Sequence, residues 1–147
     1  MAKLGCSYPL GMQLEGRKEY LIRIPLKIDD NGSIILNAEI PERKNINLMI
    51  GDKHLALEAT KKACTQALTG IKQSSIKFAL VFSDIGRLQL LRKDSQNEIE
   101  IIKEILGKDV PFFGCYTCGV YAPMNLQEYQ GQSYFHSQTI SITIFSE

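Results

Sequence analysis

Apolar and polar positions change rhythm along this chain, and each change marks an element. Tyr20, Ile22, Ile24, Leu26 and Ile28 alternate with Leu21, Arg23, Pro25 and Lys27, a period of two that predicts a half-buried strand. Pro25 assigns that strand to a sheet edge or a bulge, because it has no N–H to give a ladder. Asp29-Asp30-Asn31-Gly32 tolerates positive φ, and alternation resumes at Ile34, Leu36, Ala38 and Ile40, so the pair reads as a hairpin. Pro41-Glu42-Arg43-Lys44 ends it, and Ile46, Leu48 and Ile50 make a third short strand.

From Asp52 onward the rhythm becomes helical. Asp52 is placed to cap, and Ala56, Leu57, Thr60, Ala63, Cys64, Ala67, Leu68 and Ile71 recur at three and four as one stripe. Phe78 to Phe82 is unbroken and apolar, as expected of the central strand of a sheet covered on both faces. Ser83-Asp84-Ile85-Gly86-Arg87 leaves its carboxyl end. Ser95-Gln96-Asn97-Glu98 fits a capping box, Ile99, Ile102, Ile105 and Leu106 form a second helical face, and Gly107 closes it. Val110 to Tyr116 and Thr139 to Phe145 are the last strands, separated by a loop from Ala122 to Ser133 expected to be mobile. The order β-β-β-α-β-α-β-β predicts an α+β fold, a single mixed sheet of five to six strands with two packed helices, in one domain over 1–147.

Composition narrows the function. At 147 residues the chain can bury an ordinary core. Seventeen Lys and Arg against sixteen Asp and Glu leave a net charge of +1, which argues against nucleic acid or an anionic membrane as partner. No apolar run approaches the roughly 20 residues that span a bilayer, and Met1 to Gly16 has no signal-peptide pattern, so a cytoplasmic location is expected. The cysteines, Cys6, Cys64, Cys115 and Cys118, are then expected to be reduced.

The richest stretch is Pro111 to Gly119 followed by Ser133 to Thr139, where aromatic, thiol and imidazole groups could meet beside two glycines. Cys64 falls in a helical stripe and reads as a small buried hydrophobe. Cys115 and Cys118 form C-x-x-C, but after a strand and before a poor helix start, which disfavours a redox motif; no second ligand pair suggests zinc. His54 reads as a surface residue. His136 enters the last strand from the loop, where a neutral imidazole could recognise a polar molecule or pin the loop to backbone carbonyls. Arg87 suits a ligand carboxylate and Asp84 an ammonium, although the two could pair with each other. Hydrolase, nucleotide-binding and metalloprotease signatures are missing.

Tyr8-Pro9-Leu10-Gly11, Ile22-Arg23-Ile24-Pro25-Leu26, Leu80 to Arg87, Glu98, Pro111 to Gly119 and His136-Ser137-Gln138-Thr139, taken in order, resemble the C-terminal FIST domain from about Tyr8 to Phe145. The resemblance implies a non-catalytic sensory domain of signal transduction that binds a small ligand such as an amino acid, with no cofactor or metal. It also implies a preceding N-terminal FIST domain, so this chain is expected to be an excised half or a stand-alone version. Asp84 stands where the family has Cys, Val120 where it has Glu and Ser137 where it has Asn, while Cys115 and Cys118 stand at aromatic positions. Position and resemblance together nominate Asp84, Arg87, Gly114, Tyr116, Gly119 and His136 as ligand-binding residues, with Arg23 as a possible addition. The glycines would let the turn approach the ligand and Tyr116 would give it an apolar face. The alternatives are a half-domain that pairs with an N-terminal FIST domain, a signalling output domain or itself as a homodimer, and a thiol-dependent enzyme.

Overall fold

The computed structural model describes residues 2–14, 16, 19–124 and 132–147. Its centre is β6 (Ile76–Asp84), flanked antiparallel by β10 (Ile140–Ser146) and parallel by β7 (Phe112–Thr117). Strand periodicity turns Ala79, Val81 and Ser83 to one face, with Ile140 and Ile142 from β10 beside them. Helices α2 (Lys53–Ala67) and α4 (Ser95–Leu106) cover that face, and Cys64, Ala79, Val81, Ile102, Leu106 and Ile140 form the core between. Asp52 caps α2 as expected, its carboxylate accepting the Leu55 N–H at 2.8 Å. The helix ends at Ala67, short of Ile71, where Gly70 takes a φ of 79°.

The middle position of β6 is borne out, but cover on both faces is not. Phe78, Phe113 and Phe145 stand exposed on the opposite face, and Phe78 stacks on Phe145 with ring centroids 4.3 Å apart. An unbroken apolar run is ambiguous between a strand buried twice and one whose second face is left aromatic and open.

The α+β class holds, with the strands shared among several sheets instead of one. Residues before Tyr20, which suggested no element, supply α1 (Ala2–Ser7) and β1 (Leu10–Gln13), and β1 lies between β2 (Tyr20–Arg23) and β5 (Ile46–Leu48). Pro25 divides the long alternating run, so that β3 (Pro25–Ile28) leaves β2 and pairs with β4 (Ile34–Leu36) across the anticipated turn, with a register shift between Pro25 and Lys27. Val120–Ala122 and Tyr134–His136, β8 and β9, pair on either side of the anticipated loop, most of which lies outside the described residues.

Asp84 ends β6 and caps a helix missed in the sequence, α3 (Ile85–Leu91). The capping box at Ser95 to Glu98 is overturned: no side chain caps α4, and Glu98 is buried. Its carboxylate is used elsewhere.

Candidate functional site

Glu98 continues the buried stripe of Ile102 and Leu106 on α4, which aims it at the sheet and at α2. Thr60 does the same between Ala56 and Cys64 on α2, and Ser83 points inward from β6. Arg87 of α3 enters the space these three leave. Its Nε donates to Glu98 Oε1 at 2.9 Å, and its Nη2 donates to Glu98 Oε1, to Thr60 Oγ1 at 2.7 Å and to the Ala56 carbonyl at 2.8 Å. Ser83 donates to Glu98 Oε2 at 3.0 Å. Arg87 and Glu98 are only 2% and 3% exposed, so each charge depends on this network for the hydration it has lost. Nη1 takes part in none of these bonds.

Arg87 also lines a cleft of about 390 Å³ between α2 and β10. Ala59, Lys62, Ala63 and Gln66 form the helical wall, Ile140 to Thr143 the strand wall, and His136 and Gln138 the end. The volume falls at the small end of the range of about 300–1,000 Å³ usual for ligand sites.

A strap of hydrogen bonds fixes that end. Asp84 Oδ1 accepts the N–H groups of Gly86 at 2.8 Å and Gln138 at 2.9 Å, and Gln138 Nε2 donates to the Cys6 carbonyl at 2.6 Å. Gln138 takes a φ of 53°, a left-handed conformation held by both bonds. His136 Nε2 donates to the Ala122 carbonyl at 3.1 Å, which leaves Nδ1 as the acceptor of a neutral ring. Burial pushes its pKa down, the nearby Arg23 charge adds to this, and the Ala122 carbonyl opposes it.

Of the nominated residues, the fold brings Arg87 and His136 to the cleft. Asp84 lies behind it, 2% exposed and committed to backbone N–H groups. Gly114 lies within β7, where an added Cβ would meet the Val81 carbonyl, and Gly119, at φ 108°, leaves room for the Phe135 ring. Both glycines thus answer to packing. Tyr116 is half-exposed on β7 beside the Arg87–Glu98 pair, and burial raises its pKa. Neither glycine nor Tyr116 lines the cleft. Arg23 is held by the carbonyls of Ile22, Glu39 and Phe135. Cys115 and Cys118 are exposed and unbridged, and burial lifts the pKa of the Cys64 thiol to about 11. Among the described residues no group of three or more His, Cys, Asp or Glu is arranged to hold a metal.

Sequence reasoning missed Glu98, Thr60 and Gln138 as parts of the site. The signal for the first two was there: a carboxylate and a hydroxyl each four residues from buried apolar neighbours, where a solvated polar side chain does not belong.

These features define an α+β domain with a buried ion-pair network opening onto a small cleft. The FIST C domain family model matches residues 1–123, and the chain belongs to that family, one of sensory domains in signal transduction. No curated protein and no solved structure matches it. The matched stretch includes Arg87 and Glu98 and ends before His136. Among the described residues, no helix is long and apolar enough to cross a membrane.

Proposed function

We propose that this is a non-catalytic sensory domain that holds a small polar ligand, of the amino-acid or small-carboxylate class, in the cleft between α2 and β10. The observation that carries the reading is Arg87, which lines the cleft and whose Nη1, among the described residues, stands outside the buried network that holds Nε and Nη2. A ligand carboxylate would meet a fixed, desolvated donor there, and charge-assisted bonds are the stronger ones. His136 and Gln138 add polar recognition. Asp84 holds Gln138, and so acts on the cleft through it. The signal would pass to an output domain or an N-terminal FIST domain in the cytoplasm.

Binding to the native state raises the melting temperature, with about 2.7 kcal/mol of stabilisation at a hundredfold excess over Kd. Amino acids and small carboxylates are screened by thermal shift, and Ala59→Trp, which fills the exposed helical wall without touching the buried pair, is the control. A hit that Ala59→Trp abolishes is expected. A flat response across the panel and to short peptides with a free carboxylate overturns the reading.

A second reading has its own support in the aromatic face of β6, β7 and β10. Exposed apolar surface of this kind marks protein interfaces, and a second copy or an N-terminal FIST domain would cover it.

A further inference from the structure

Four consecutive residues of β10, Ile140 to Thr143, line the cleft. Successive side chains of a strand point to opposite faces, so four in a row face one space through the strand's edge. β10 ends its sheet, with β6 on one side and no strand on the other among the described residues. Its register tells which groups look outward. The Asp84 N–H donates to the Thr139 carbonyl at 2.9 Å, which makes Thr139 and Asp84 a hydrogen-bonded pair at the mouth of the ladder. Such pairs alternate in antiparallel sheets, so Ser141 opposite Phe82 and Thr143 opposite Leu80 also bond inward. Ile140 and Ile142 then turn their N–H and C=O groups into the cleft.

We infer that the ligand is a short extended peptide with a free C-terminal carboxylate, added as a strand antiparallel to β10. This rests on the ligand-cleft reading above and names the class of ligand. The last residue would pair with Ile140 and the residue two before it with Ile142, using all four outward groups. Side chains at those two ligand positions share a face with Ile140 and Ile142, on the side of α2, where Ala59 and Ala63 leave space. The direction follows from the cation. Arg87 bonds at Ala56 and Thr60 on α2, and Asp84 three residues before it holds Gln138, so its Nη1, which has no hydrogen bond among the described residues, belongs to the Ile140 end of the cleft. A carboxylate arrives there only if the peptide runs antiparallel. Backbone pairing then supplies affinity, and the small helical wall supplies side-chain preference.

The test uses acetyl-Leu-Ala-Leu with a free carboxylate as probe, titrated into the 15N-labelled chain. Shifts at the Ile140 and Ile142 amides are expected. Methylating the two leucine nitrogens, or amidating the C-terminus, should weaken binding by about tenfold or more. Unchanged affinity on methylation, or shifts that avoid β10, overturns strand addition. Free amino acids that bind where the tripeptide does not overturn the peptide class and keep the small-ligand cleft. Silence from both removes the two readings together.

Discussion

Arg87 and Glu98 illustrate how a buried charge can be kept by its neighbours and not by water. With Glu98 replaced by Ala, the guanidinium keeps Thr60 and the Ala56 carbonyl but no counter-charge, and removing one partner of a buried pair costs about 3–5 kcal/mol. Glu98→Ala should therefore lower stability by that amount in urea melts. The double change Arg87→Met with Glu98→Leu should recover most of it, since apolar residues of similar volume need no hydration. A second consequence at this scale concerns pH. His136 has a folded pKa below its ordinary 6.5, so the unfolded chain binds its proton first as pH falls. Its contribution is complete above about pH 6.5 and is lost as acid drives the pH down through the folded value. Stability measured at pH 7.5 and 5.5 should decline on acidification, and His136→Gln should flatten that slope.

Elements fail or hold according to how closely their backbones approach. Gly114 lies on the inner face of β7, and an Ala there would meet the Val81 carbonyl of β6. Overpacking of this sort costs about 1–3 kcal/mol, so Gly114→Ala should lower the melting temperature and loosen the β6–β7 ladder in hydrogen exchange. The same scale shows what could be read in advance. The Asp52 cap, the hairpin at Asp29 to Gly32 and the central place of Phe78 to Phe82 depend on local chemistry, and the structure keeps all three. What could not be read depends on distant neighbours. β1 is four residues long and gains its identity from partners on both sides, and α3 exists because Asp84 caps it at the end of a buried strand. Glu98 looked like a cap because Ser95 precedes it by three residues, while its four-residue spacing from Ile102 pointed inward. The candidate site was half legible for the same reason: Arg87 and His136 were nominated by residue type and line the cleft, but only the folded chain shows that Asp84, Gly114 and Gly119 have structural partners.

At the scale of the whole molecule the two faces of the main sheet are unequal. One carries the helices and the core, and the other shows aromatic rings to solvent, Phe113 being 71% exposed. Surface so apolar favours association, and Phe113→Asp at its edge strand should oppose it with little effect on folding, as exposed substitutions usually change stability by less than about 0.5 kcal/mol. In sedimentation velocity the unaltered chain should associate as its concentration rises and Phe113→Asp should remain monomeric. A chain monomeric throughout would argue that this face serves a different protein.

The strap from Asp84 through Gln138 to the Cys6 carbonyl also has a meaning in time. Cys6 and Gln138 are 132 residues apart, and although Gly51 and Gln89 bond to the first helix sooner, this tie waits for almost the last strand. On a ribosome that interval is on the order of ten seconds. Throughout it the opening segment is held by its earlier partners alone, so synthesis past Gln138, and not the emergence of the helices, sets the earliest moment at which the strap can close.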